Sequence, residues 1–125
     1  NAKLDHYDKD VKRRQEVAQT YSKYLNDHIP IPVIKEDRTS VWAQYSIRLD
    51  KRDLLQEKLK MAGIPTAIHY PMPLHLQECF VYLGGRKGDF PISEKISEEI
   101  MSLPMNPYLS ENELKYITSK LLAFL

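Results

Sequence analysis

Apolar residues recur at three- and four-residue steps over residues 3–27. Leu4, Tyr7, Val11, Ala18, Tyr21 and Leu25 form the stripe, and Val17 and Tyr24 widen it. That spacing is one face of an α-helix, and charged residues fill the opposite face. Arg14 interrupts the stripe. Pro30 and Pro32 then stop the helix, because proline lacks the N–H a helix interior needs. Over 40–49 the period changes to two. Val41, Ala43, Tyr45, Ile47 and Leu49 share one face, while Trp42, Gln44, Ser46 and Arg48 share the other, which predicts a strand. Asp50 is placed to cap a second helix. Leu54, Leu55, Leu59 and Ala62 would be its buried side, and Gly63 would follow its end.

A short strand is predicted at 65–69, with Ile64, Thr66 and Ile68 alternating against Ala67 and His69. Pro71 and Pro73 take the chain out of the sheet into a loop. LHLQECFVYL (74–83) suggests a short helix and LGGRKGD (83–89) a glycine-rich loop. Ile92, Ile96 and Ile100 mark a helix over 92–100. Residues 102–105 form a short strand, which Pro104 assigns to a sheet edge. Ser110 and Glu113 make an S-x-x-E capping box, and the helix after it turns Leu114, Ile117, Leu121 and Phe124 inward. The order is α-β-α-β-α-α-β-α. It predicts an α+β fold, a small and mostly antiparallel sheet with helices packed on one face. There is no internal repeat or low-complexity segment.

A chain of 125 residues is the size of one domain and buries roughly two thirds of its unfolded surface. Eighteen basic residues against seventeen acidic ones leave a net charge of +1. This balance argues against a nucleic-acid arm or a polybasic membrane patch. No apolar run approaches a membrane span, and no signal peptide is evident. The single Cys79 has no internal disulfide partner, which suggests a reducing, cytoplasmic setting. The chain opens on Asn1 and enters a helical pattern within a few residues, as a cut piece or a processed product would.

Unusual chemistry concentrates in IHYPMPLHLQ, residues 68–77. Histidine carries protons, donates hydrogen bonds or binds metals, and tyrosine adds a phenol. On a strand His69 and Tyr70 would point to opposite faces. Two roles stay open from spacing alone: a strand end with a satisfied His and a half-buried Tyr, or a rigid pair presented to a ligand between stiff prolines. Tyr70-Pro71 is a conceivable cis bond, with trans the default. His69, His75 and Cys79 form a rival metal set, without any standard zinc spacing. Cys79 sits in apolar ECFVYL and suggests an inert, buried thiol. The 83–89 loop lacks the phosphate-loop order, so Arg86 and Lys87 suggest a solvated turn. Arg48 is either an anion-binding group or one half of a surface ion pair. The residues alone give an α+β domain with one distinctive patch, and no reaction.

Four segments in order carry a resemblance. They are Arg14, Ala18 and Tyr21; Gly63-Ile64-Pro65-Thr66 with Ile68-His69-Tyr70-Pro71 and Pro73-Leu74-His75-Leu76-Gln77; Gly88-Asp89-Phe90-Pro91 with Glu94; and Ser102-Leu103-Pro104-Met105 with Pro107 and Leu109. Together they resemble the C-terminal domain of the DegT/DnrJ/EryC1/StrS aminotransferases, pyridoxal-phosphate enzymes acting on nucleotide-linked keto sugars. The resemblance implies the C-terminal small domain of a fold type I transferase. Residues 1–27 would be a connecting helix and 40–125 a substrate-side α/β subdomain. The N-terminal domain that anchors pyridoxal 5'-phosphate is absent from this chain, so the 125 residues alone are expected to be inactive. Lys58 and Lys60 are not assigned the cofactor-anchoring role, and no catalytic, cofactor-binding or metal residue is assigned. The resemblance implies that His69 and Tyr70, then His75 and Gln77, face the nucleotide sugar. It also implies glutamate as amino donor, a homodimer, and a form closer to members acting on 3-keto than on 4-keto sugars. Two alternatives are a free-standing, non-catalytic module binding nucleotide sugars or a protein, and a small metal-dependent hydrolase.

Overall fold

The computed structural model describes residues 4–125. Residues 1–3, part of the expected connecting helix over 1–27, lie outside them. In chain order the elements are α1 (Leu4–Leu25), β1 (Tyr45–Arg48), α2 (Arg52–Met61), two 3-10 turns (Leu74–Leu76 and Glu78–Leu83), α3 (Pro91–Glu99), β2 (Ile100–Leu103) and α4 (Glu111–Phe124). The fold is a small α+β structure around a two-stranded antiparallel sheet.

Register explains where the core sits. Tyr45 pairs with Leu103 and Ile47 with Met101, so these four side chains share one face, and all are buried. A two-stranded sheet is marginal by itself and needs a packed apolar face. Here α1 supplies Val17, Ala18, Tyr21 and Leu25, α2 supplies Leu55 and Leu59, and α4 supplies Leu114, Ile117 and Leu121. The Tyr21 hydroxyl donates to the Pro104 carbonyl at 2.8 Å, which satisfies the polar tip of a ring the core encloses. Burial pushes the Tyr21 phenol well above its ordinary pKa. The stripe of α1 is only half used, because Leu4 and Tyr7 are exposed.

The ends of α4 and α2 follow their sequence signals. The Ser110 side chain accepts from the Glu113 N–H, and the Glu113 carboxylate accepts from the Ser110 N–H, closing the predicted capping box. At the end of α2, Gly63 adopts φ 76°. Its N–H donates to the Lys60 carbonyl and that of Ile64 to the Leu59 carbonyl, the paired bonds of a Schellman motif.

Other expectations are corrected. The strand predicted over 40–49 begins only at Tyr45. Trp42 has φ 50°, so the chain turns there, the alternation loses phase, and the indole is buried while Val41 and Ala43 are exposed. Arg14, the residue breaking the α1 stripe, donates through Nη1 to the Trp42 carbonyl at 2.9 Å and the Met105 carbonyl at 3.4 Å. The Trp42 indole donates to Gln15 Oε1 at 2.9 Å. Asp50 is not the cap of α2. Lys51 occupies that position at φ 55° without a side-chain cap bond. Arg52 is buried instead and donates to the Ile100 carbonyl at 2.7 Å, while Leu54 faces solvent.

The strand expected at 65–69 shrinks to one bridge, Ala67 to Ser102, with N–H···O distances of 3.1 and 2.7 Å. β2 therefore lies between β1 and this bridge, where an edge strand was expected, and Pro104 falls just beyond it. Within 74–83 the chain makes two 3-10 turns where one short helix was expected. In α3 the outward Ile92 is exposed and Ser97 is the buried residue. Cys79 is exposed, contrary to the buried thiol its apolar neighbours suggested.

Candidate substrate groove

The polar side of the sheet builds the site. Ser46 and Ser102 are register partners, and their hydroxyls lie 2.9 Å apart. The Ala67 bridge brings the following residues across β2, and His69 Nδ1 lies 3.1 Å from Ser102 Oγ. Ser102 is only 5% exposed, so its hydroxyl is a fixed partner. One ring nitrogen of His69 is spent on the sheet, which sets the ring's orientation and leaves Nε2 for other chemistry.

Tyr70 meets His69 edge to face, with ring centroids 5.8 Å apart, and is 69% exposed. Both rings line one groove of about 220 Å³, shared with Met72, Pro73, Leu74, Gln77, Ser93, Ile96, Ser97 and Ile100. The opposite-face expectation for His69 and Tyr70 is thereby overturned, because residues 68–70 are not in a strand. The cis peptide is His69–Tyr70 and not Tyr70–Pro71. Gln77 lines the groove, and its amide donates to the Met72 carbonyl at 3.4 Å.

His75 is placed differently. Its Nε2–H donates to Glu94 Oε1 at 2.9 Å, and its ring packs on Phe90 at 4.8 Å between centroids. It does not line the groove. Glu94 also accepts from the Gly88 N–H at 2.8 and 3.1 Å and from the Phe90 N–H at 3.4 Å. The Gly88 N–H foremost, with His75 behind it, holds the Glu94 carboxyl below its ordinary value of 4.5. Three of the four predicted residues thus meet in one groove, and the fourth is bound behind its rim.

Ser46, Ser102 and Glu94 received no role from the sequence. Ser46 carried a usable signal, since strict alternation put it on the polar face of its strand. Ser102 and Glu94 stood inside recognisable motifs, but their partners His69 and His75 lie 33 and 19 residues away.

Two other chemistries meet the same geometry. Among the described residues no group of three or more His, Cys, Asp or Glu side chains is placed to hold a metal. Arg48 pairs with Glu99 through Nε at 3.0 Å and Nη2 at 2.7 Å, the ion-pair alternative. The described lysines are exposed or half-buried, and none lines the groove. A cofactor-anchoring lysine needs a desolvated setting that lowers its pKa, so these residues do not fit that part of a pyridoxal phosphate site. Among the described residues no helix is long and apolar enough to cross a membrane.

Residues 1–122 match the DegT/DnrJ/EryC1/StrS aminotransferase family. The chain is 40% identical over 128 residues to the pleiotropic regulatory protein of Geobacillus stearothermophilus, covering 99% of this chain and 34% of the relative. It is 39% identical over 120 residues to the UDP-2-acetamido-2-deoxy-3-oxo-D-glucuronate aminotransferase of Pseudomonas aeruginosa, covering 95% and 33%. The crystal structure of a DegT DnrJ EryC1 StrS aminotransferase from Brucella abortus superposes with a TM-score of 0.91 at 36% identity, covering 98% of this chain and 33% of that one. The chain therefore spans about a third of the length of the relatives it matches.

Proposed function

The chain belongs to the DegT/DnrJ/EryC1/StrS aminotransferase family, and on that premise we propose that it is the C-terminal, substrate-side part of a transaminase that moves an amino group from glutamate to a nucleotide-linked keto sugar. Residues 1–27 connect it to the remainder, and 40–125 carry the sugar-facing groove. The observation that carries the proposal is the groove beside β2, where His69 is held through Nδ1 by the buried Ser102 next to Tyr70 and Gln77. These groups offer hydrogen-bond donors and acceptors, suited to sugar hydroxyls. Their preset orientation turns binding energy into positioning. The name of the Pseudomonas aeruginosa relative supports a 3-keto substrate.

Pyridoxal phosphate, bound mainly by residues outside this chain, supplies the electron sink for the amino-group transfer. The residues present here bind the sugar, orient it and exclude water from one side. A homodimer and a cytoplasmic setting belong to the same proposal, the latter supported by the free, exposed Cys79.

The test is amino transfer by the intact polypeptide that contains this segment. It is incubated with pyridoxal phosphate, glutamate and UDP- or dTDP-linked 3-keto sugars, and the product is followed by mass spectrometry. The expected result is an aminated nucleotide sugar and stoichiometric 2-oxoglutarate. The name of the Geobacillus stearothermophilus relative favours a second reading, a non-catalytic regulatory module. No transfer with any nucleotide sugar, by a protein that still binds one, would select that reading.

A further inference from the structure

One carboxylate outside the groove ties together the 84–90 loop, the first 3-10 turn and α3, and the last two line the groove. Glu94, on α3, receives the Gly88 and Phe90 N–H groups from the 84–90 loop and the His75 ring from the first 3-10 turn. Both partners of the His75–Glu94 pair are shielded, with side chains 11% and 13% exposed. The loop itself is closed by Asp89, whose side chain accepts from the Arg86 N–H at 2.8 Å. It also lies tight against the turn. A Cβ at Gly85 would stand 2.9 Å from the His75 carbonyl oxygen and 3.0 Å from the His75 Cβ.

The residues on either side of these anchors face the groove. Leu74 precedes His75 and Gln77 follows it by two residues, while Ser93 precedes Glu94 on α3 and Ser97 lies one turn after it. We propose that Glu94 and His75 are positioning residues: they fasten the loop and the 3-10 turn to α3 and so set the spacing at which Gln77 meets a bound nucleotide sugar across from α3. The inference rests on the transaminase reading and extends it to two residues that do not touch the substrate. Neither residue moves a proton in the reaction. Each acts by holding a wall of the groove at one distance.

Steady-state kinetics of the intact enzyme test it. The assay runs in reverse, with 2-oxoglutarate and the UDP-linked 3-amino sugar corresponding to the Pseudomonas aeruginosa relative's keto substrate. Glu94→Ala is expected to raise the KM for the sugar roughly tenfold, since small misplacements of binding groups carry large penalties. The expected kcat stays within about twofold, and pyridoxal phosphate content is unchanged. Glu94→Gln keeps an acceptor for the Gly88 and Phe90 amides and should recover most of the loss. Gly85→Ala pushes the loop away by sterics alone and should show the same KM signature, which keeps the test open if Glu94→Ala folds poorly. An unchanged KM in both Glu94→Ala and Gly85→Ala overturns the inference. So does a parallel loss of kcat and cofactor, because that marks general damage. A wild-type enzyme that transfers no amino group with any UDP- or dTDP-linked 3-amino sugar removes the transaminase reading and this inference with it, and the wild-type control identifies that case.

Discussion

At the scale of single residues, the site depends on hydroxyls and carboxylates that orient imidazoles. Ser102→Ala removes the partner of His69 Nδ1 without adding bulk to a buried position. A lost hydrogen bond costs about 1 kcal/mol, which under the proposed function corresponds to about a fivefold rise in KM for the nucleotide sugar if the ring loses its preset orientation. Kinetics of Ser102→Ala in the intact enzyme check this, and an unaltered KM would show that the sheet does not orient His69. Glu94 gives a pH prediction with a definite sign. Its folded pKa is depressed, so its contribution to stability is complete above its ordinary value of 4.5 and is lost as pH falls through the folded value. The Tm advantage of wild type over Glu94→Gln should therefore shrink as pH is lowered below 4.5. A constant difference down to pH values well below that would contradict the assignment. His69 and Tyr70 were legible as a patch because prolines and polar rings crowd one stretch. The role of His75 was not legible, because the carboxylate that binds it comes from α3.

At the scale of elements, period-3.6 patterns located the four α-helices, but period-2 patterns misjudged where alternation stops. Trp42 shows why. A left-handed residue breaks the phase of a strand, and nothing in the apolar pattern of 40–49 encodes that turn. The 65–69 segment failed for a related reason: its pairing is decided by what β2 offers, and β2 offers one bridge. Terminal signals transferred better, because capping depends on neighbours in sequence. Ser110→Ala should cost about 1 kcal/mol in urea unfolding. Gly63→Ala meets nothing within 4 Å, so its cost is that of the left-handed backbone alone, about 1 kcal/mol. Leu59→Ala, fully buried between α2 and the sheet, should cost about 2–5 kcal/mol, whereas Ile92→Ala at an exposed position should stay within about 0.5 kcal/mol. Equal effects at Leu59 and Ile92 would contradict the core described here.

At the scale of the molecule, nearly balanced charge accompanies an apolar core on the helix side of the sheet and, on the other side, a groove where His69, Tyr70, Gln77 and two serines stand among apolar side chains. Met72 and Leu74 of that groove are exposed, and so are the apolar Val81, Tyr82, Leu83 and Ile92. An apolar surface of that kind marks an interaction face. Under the proposed function it faces the remaining two thirds of the enzyme. The central claim is that this segment holds the sugar while other residues hold the cofactor. The most direct measurement compares wild type with His69→Ala in the intact protein. It records nucleotide-sugar affinity by calorimetry and pyridoxal phosphate content by absorbance. The account predicts that sugar affinity falls by about tenfold or more while cofactor content is unchanged. Unchanged sugar affinity, or equal loss of sugar and cofactor, would contradict it.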